Sequence, residues 1–336
     1  MDAEKLSMLN RKLYSIIEKL PEYPAIEITR FLFRILPFEH LTDYEVHEES
    51  LKTVLRGFVG SGLELKNPVI LAAGYHEPFI LKKASKMGFG AVTAKVSADP
   101  RDGNPEPTII RTEQGPVNSV GYRNQGMREL YQDLDEMRED VPDLAVILNM
   151  SDSSIDNYCR IVEHMDANPA VRMFEMNECL NSPKGERLDF FRDNKLAKDL
   201  FREIRELTEK PIGLKLPRLA DFPRIYEKTI PIAIDRGITV LNYANGKRVR
   251  ESRLTTGEGS LTGPALFEDT LENVEMLYRE FGNYADIIAT GGIDSQAGAY
   301  LVRKKGAKAV SYITAFPSDI FLAKRINRVF SKSWFK

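Results

Sequence analysis

Cysteine is scarce in this chain: Cys159 and Cys179 are the only two among 336 residues. Two are too few for a disulfide scaffold, and they suit a reducing cytosol. An excess of one charge is also missing. The formal net charge is −2, without the basic footprint that a nucleic-acid partner requires. No uninterrupted apolar run reaches the roughly 18 residues that span a bilayer, and no signal peptide is visible, so the expected location is cytoplasmic. No cluster of His, Asp, Glu or Cys has metal-ligand spacing, and there is no Walker or Rossmann glycine string.

What is present is an ordinary globular composition, with 43% hydrophobic and 29% charged residues, which excludes wholesale disorder. The length fits one barrel-sized domain with an appendage better than two unrelated domains. Residues 1–58 form the appendage, with helical patterns over 6–20, 26–36 and 44–58 interrupted by Pro21, Pro24 and Pro37. The middle segment, IEITRFLFRILPF, is dense in large apolar side chains. Three roles suit it: a helix docked on the core, the wall of a hydrophobic tunnel, or a segment lying in a membrane interface.

Over residues 59–336 the pattern changes to short apolar runs, each followed by turn residues and an amphipathic stretch. Strands are expected at 69–72, 91–96, 145–149, 173–177, 212–215, 239–242, 287–290 and 309–313. Eight strands alternating with helices are the pattern of an α/β fold, a (β/α)8 TIM barrel, although a doubly wound open sheet gives the same local signal. Asn149, Asn177, Lys215 and Asn242 each end an apolar run. In a barrel they converge on one mouth, where the chemistry of such folds resides. Gly291 and Gly292 follow the seventh run and Thr314 the eighth. Backbone amides at two such turns suit a phosphate monoester.

Residues 99–126, DPRDGNPEPTIIRTEQGPVNSVGYRNQG, are rich in proline, glycine and asparagine and read as a long loop. It is either a substrate-facing loop, with Asn118 and Asn124 offering amides to a planar polar ligand, or a rigid surface loop whose asparagines cap turns.

Within that loop, PRDGNPEP and VNSVGYRNQG resemble the matching segments of the dihydroorotate dehydrogenases, the FMN enzymes of pyrimidine synthesis. The resemblance implies oxidation of (S)-dihydroorotate to orotate by proton abstraction and hydride transfer to FMN. It also assigns roles. Asn118, Asn124, Asn177, Asn181 and Asn242 would hold the substrate. Ala73 and Gly74 in NPVILAAGYHEP, Lys95, Asn149, and Lys215 in GLKLP would contact the flavin. Gly263 in GSLTGPAL, Gly291, Gly292 and Thr314 would surround its phosphate.

Cys179 in CLNSPKG matches the family's base, which must stand on the face of the substrate opposite the flavin. Read without the family, it is a small buried thiol, as Cys159 is. Lys95 is either a flavin and substrate contact or a solvated cation on an apolar stem. The chain also departs from the pattern. Tyr75, His76 and Glu77 stand where the quinone-using class carries a lysine for the substrate carboxylate, and Glu77 would repel such a ligand. Leu180 replaces a proline in a loop one residue short, Ser260 replaces a glycine, and Tyr243 replaces a Ser or Thr.

The stretch DYEVHEESLKTVL resembles the extension helix of the membrane-associated class. That likeness implies a quinone acceptor and peripheral contact with the inner face of the cell membrane through the N-terminal helices. A homodimer stays open, since the sequence does not fix the oligomeric state. Two alternatives stay open: an FMN barrel with another substrate, and a barrel without catalysis that serves as a binding protein.

Overall fold

The computed structural model describes residues 8, 11–16, 49–58, 60, 62–75, 77–183 and 185–331. Residues 11–16 are helical, whereas the helix expected over 26–36 lies outside the described residues.

The chain enters the barrel through an antiparallel pair, β1 (Thr53–Leu55) and β2 (Leu63–Leu65). This differs from the helix expected over 44–58. Three-residue strands with alternating buried and exposed side chains are too short to reveal a period of two in the sequence. The pair also straddles the domain boundary drawn after residue 58.

Next come β3 (Val69–Leu71) and β4 (Ala91–Val96), a hairpin of β5 (Ile109–Thr112) and β6 (Gly115–Asn118), then β7 (Val146–Met150), β8 (Val171–Asn177), β9 (Ile212–Leu216) and β10 (Val240–Tyr243). A second hairpin, β11 (Lys247–Arg250) and β12 (Glu258–Leu261), precedes β13 (Asp286–Thr290) and β14 (Ala309–Tyr312). Strands β3, β4, β7, β8, β9, β10, β13 and β14 pair in parallel and close into a barrel. An open doubly wound sheet is thereby excluded. Each expected strand is found within a residue or two of its place, because parallel strands covered on both faces are nearly continuous apolar runs.

Helices return the chain from each barrel strand: α1 (Pro78–Lys86), α2 (Met127–Asp140), α3 (Ile155–Met165), α4 (Asn194–Leu207), α5 (Ile230–Asp235), α6 (Phe267–Phe281), α7 (Gln296–Lys304) and α8 (Leu322–Ser331). Local chemistry sets several starts. The side chains of Ser154, Asp193 and Ser295 accept from the first-turn amides of α3, α4 and α7. Each of these helices lays one apolar stripe on the strands, such as Ala197, Leu200, Phe201 and Ile204 of α4.

Side chains alternate along each strand, so every second residue points into the barrel. At the N-terminal end these inward positions are apolar. Ile70, Ile147, Met173, Val240 and Ile288 form one cluster with Leu55, Leu63 and Leu65 of the β1–β2 pair, which plugs that end. A Cβ on Gly213 would stand 2.2 Å from the Met173 Cε, so that glycine makes the room the methionine fills. Two residues further along, the inward layer turns polar: Thr93, Asn149, Glu175, Lys215, Asn242 and Thr290, all buried. The opposite mouth is roofed by a four-stranded antiparallel sheet in the order β11-β12-β6-β5. Much of the expected loop over 99–126 is therefore the β5–β6 hairpin.

Candidate active site

The buried polar layer is the floor of the mouth. Glu175 on β8 accepts from the Asn149 amide at 2.6 Å and, through its other oxygen, from the Asn242 amide at 2.6 Å. The Asn242 carbonyl oxygen accepts in turn from Lys215 Nζ at 3.1 Å and from the Thr290 hydroxyl at 2.6 Å. Burial lowers the Lys215 ammonium to about 8, against the pull of the Glu175 carboxylate and with a further push from Arg218. Such a buried amine keeps its charge more readily beside an anionic ligand.

Above the floor, asparagine amides pair across strand ends. Asn177 donates to the Asn149 carbonyl oxygen at 3.1 Å and accepts from Asn245 at 2.9 Å. The Tyr122 hydroxyl donates to Asn149, at 2.5 Å to its backbone oxygen and 2.6 Å to its side chain. Complete burial pushes the Tyr122 phenol well above its ordinary value, so it stays a donor.

Cys179 leaves β8 at the rim, half-buried, with its amide donating to the Ser151 hydroxyl at 3.3 Å and its thiol 3.6 Å from the Gly121 carbonyl oxygen. The next turn is pinned to the roof. Asn181 donates to the Asn118 backbone oxygen and to the Ser260 hydroxyl, both at 3.0 Å, while the Asn118 amide donates to the Ser260 carbonyl at 3.2 Å. The loop after β8 thus meets two strands of the roof, β6 and β12, at one point.

Across the cavity, Gly263, Gly291, Gly292 and Thr314 line the wall between the starts of α6 and α7. Gly291 and Gly292 have φ of 124° and 72°. A Cβ on Gly292 would come within 2.4 Å of the Phe267 amide nitrogen at the start of α6. Only glycine fits such a turn, and helix N-termini with exposed backbone donors attract anions. The whole mouth encloses about 570 Å³, the size of a small-molecule or cofactor site.

The sequence profile of the dihydroorotate dehydrogenases matches residues 59–333. The chain belongs to the dihydroorotate dehydrogenase family. It is an oxidoreductase of that type, in a family of flavoproteins. The catalytic subunit of dihydroorotate dehydrogenase B (NAD(+)) from Geobacillus sp. is 29% identical over 285 residues, covering 79% of this chain and 86% of that protein. A putative dihydroorotate dehydrogenase A (fumarate) from Pediococcus pentosaceus is 30% identical over 266 residues, covering 74% and 84%. The crystal structure of the Eimeria tenella dihydroorotate dehydrogenase in complex with ferulenol shares the fold, with a TM-score of 0.74, 20% identity and coverage of 92% of this chain and 90% of that one.

Most residues expected at a dihydroorotate dehydrogenase site meet at this cavity: Ala73, Gly74, Lys95, Asn118, Asn149, Asn177, Cys179, Asn181, Lys215, Gly263, Gly291, Gly292 and Thr314 all line it. Two do not. Asn124 is buried, accepting from the Ser97 amide and hydroxyl and the Gly126 amide and donating to the Tyr122 carbonyl, so it fastens the loop end to β4. Asn242 stands beside Lys215 with its side chain taken up by Lys215, Thr290 and Glu175, and Asn245, beyond the end of the same strand, reaches the wall instead. Glu77 does not line the cavity either. Its carbonyl accepts the amides of Ile80 and Leu81 at the start of α1.

Sequence reasoning missed Asn245, Ser260, Arg218 and Tyr14 as wall residues and Glu175 as the floor's anion. Only Glu175 carried a usable signal, a carboxylate inside an apolar strand run. No helix among the described residues is long and apolar enough to cross a membrane. No group of three or more metal-ligating side chains occurs among them.

Proposed function

We propose that this chain is an FMN-dependent dihydroorotate dehydrogenase, oxidising (S)-dihydroorotate to orotate in pyrimidine synthesis. One observation carries the reading: a half-buried thiol, a buried lysine and glycine turns open to an anion share one cavity. The residues fit FMN on the structure's own terms. A Cβ on Gly74 would come within 2.7 Å of Ile313 Cγ1, so glycine lets the Ile313 side chain close on the backbone, and the two residues form a wall against which a flat ring would lie. Gly263, Gly291, Gly292 and Thr314 would hold the phosphate, and Lys215 would supply positive charge to the ring system.

Bound FMN would accept the hydride from substrate carbon. The remaining work falls to side chains of this chain. As the base, Cys179 Sγ would take the carbon-bound proton, and the Gly121 carbonyl is placed to accept the hydrogen bond of the resulting S–H. Asn118, Asn177 and Asn181, joined by Asn245, present amides to the substrate's ring and carboxylate. Their contacts with one another fix their orientation before substrate arrives. Both carboxylate oxygens of Glu175 are engaged by asparagine amides, which holds the floor rigid under Lys215.

Tyr14, from the helical residues 11–16, reaches the same cavity wall. That contact supports a role for the N-terminal segment in docking the electron acceptor, for which we propose a quinone. The test of the cofactor assignment is the visible spectrum of the purified protein, before and after incubation with FMN. A flavin spectrum that survives gel filtration is expected; a colourless protein that takes up no FMN contradicts the assignment.

A further inference from the structure

The anion cradle contains a cation that the family resemblance does not assign. Arg218 follows β9, in the run KLPRLADF, and its side chain is 2% exposed. A guanidinium has five N–H donors in a fixed planar fork. Here three are engaged. Nε donates to the Asn245 carbonyl at 2.9 Å, and Nη1 donates to the Thr270 hydroxyl at 3.0 Å and to the Asp269 carboxylate. Nη2 is buried with no partner.

The position of that idle group is informative. A Cβ on Gly291 would stand 2.2 Å from Nη2, so the guanidinium lies directly against the glycine turn, and Arg218 itself lines the cavity. The remaining contacts aim it. The Tyr243 ring lies 5.2 Å from the guanidinium carbon, and the Tyr243 hydroxyl donates to Asp269 at 2.9 Å. Tyr243, one of the residues that depart from the family pattern, thus braces the carboxylate that braces the arginine. Asp269 sits in the first turn of α6, where an uncompensated carboxylate would repel an incoming anion. A buried cation with two free N–H bonds beside backbone donors is the arrangement that recognises a phosphate dianion.

We propose that Arg218 is a phosphate-recognition residue: its Nη2 donates to the phosphate monoester held at Gly291, while its Nη1 neutralises Asp269. This rests on the FMN reading above and deepens it, making the phosphate end of the cofactor a source of affinity and selectivity. A purely structural arginine would tie β9 to α6 equally well, but it would not discriminate between FMN and riboflavin, which differ only in that phosphate.

The experiment compares dissociation constants for FMN and riboflavin, by quenching of flavin fluorescence, in apoprotein of the wild type, Arg218→Gln and Arg218→Lys. The preference for FMN over riboflavin should fall about tenfold or more in Arg218→Gln, with riboflavin affinity held within about twofold, and Arg218→Lys should lie between. Equal weakening of both flavins, or no change in either, overturns the proposal. Inorganic phosphate provides an arm that needs no flavin. It should raise the melting temperature of the wild type and not that of Arg218→Gln; an equal rise in both overturns the proposal. If the wild type binds no flavin at all, the functional reading fails, and the phosphate arm still decides for or against Arg218. Should the glutamine variant not fold, the lysine variant carries both comparisons.

Discussion

Lys215 donates to the side chain of Asn242 at 3.1 Å, across two neighbouring strands on which the two residues are paired in register. The contact connects the Lys215 amine to a chain of buried groups ending at Glu175, so the lysine's position and its charge are set together.

The charge gives the first prediction. Because burial lowers Lys215 to about 8, it is an ammonium below that pH and a neutral amine above it. A ligand that prefers the charged form binds more weakly as pH rises through 8. The FMN dissociation constant of the wild type should therefore increase between pH 7 and pH 9.5, while that of Lys215→Met should be weaker at pH 7 and change little. Parallel pH profiles for the two proteins would remove Lys215 from the cofactor's electrostatics.

Cys179 and Cys159 should behave as opposites. Burial, aided by Glu203, Glu163 and Asp156, pushes the Cys159 thiol up to about 11, so it stays protonated and inert near neutral pH. Cys179→Ser should slow flavin reduction by on the order of 10²-fold or more without releasing FMN, and Cys159→Ser should leave the rate unchanged. Stopped-flow reduction with dihydroorotate measures both, and normal kinetics in Cys179→Ser would rule out the thiol as base.

Glu178, beside the proposed base, accepts from the Phe191 amide at 3.0 Å and from Arg192 at 3.2 Å. Burial still dominates, with Asp189 adding to it and Arg192 and Arg187 opposing, and its carboxyl is raised from 4.5 to about 7. A raised acid is stabilising while both the folded and unfolded forms are protonated. Its contribution is lost as pH climbs from the unfolded value to the folded one. Stability should accordingly fall between pH 4.5 and 7 by about 3 kcal/mol on this group's account, and Glu178→Gln should abolish that part of the slope. Denaturant melts of the two proteins across this range provide the check, and identical slopes would contradict the assignment.

Asn124 and Asn245 separate structure from binding. Asn124→Ala strands the buried amides of Ser97 and Gly126 and should cost about 2–4 kcal/mol of stability. KM for dihydroorotate should stay near the wild-type value in whatever protein folds. Asn245→Ala should do the reverse, raising KM several-fold with a small change in melting temperature. Steady-state kinetics paired with thermal melts distinguishes the two, and a raised KM in Asn124→Ala alone would return that residue to the binding site.

The sequence revealed the barrel because its strands are buried on both sides and so read as apolar runs; the polar end of each run marked the mouth. The hairpin of β5 and β6 escaped because a roof exposed to solvent needs no apolar run, and Gly115 and Pro116 both read as turn residues. Asn242 was legible as a strand-terminal amide, but residues at the end of a strand divide between floor and wall by two or three positions, which spacing alone does not resolve. Arg218 left no signal, since a charged residue in a loop is ordinary until its neighbours are known.

The most direct test is anaerobic mixing of FMN-loaded protein with (S)-dihydroorotate while flavin absorbance is followed. Stoichiometric bleaching with formation of orotate is the predicted result. A flavin that stays oxidised with dihydroorotate, yet bleaches with dithionite, would contradict the proposed reaction.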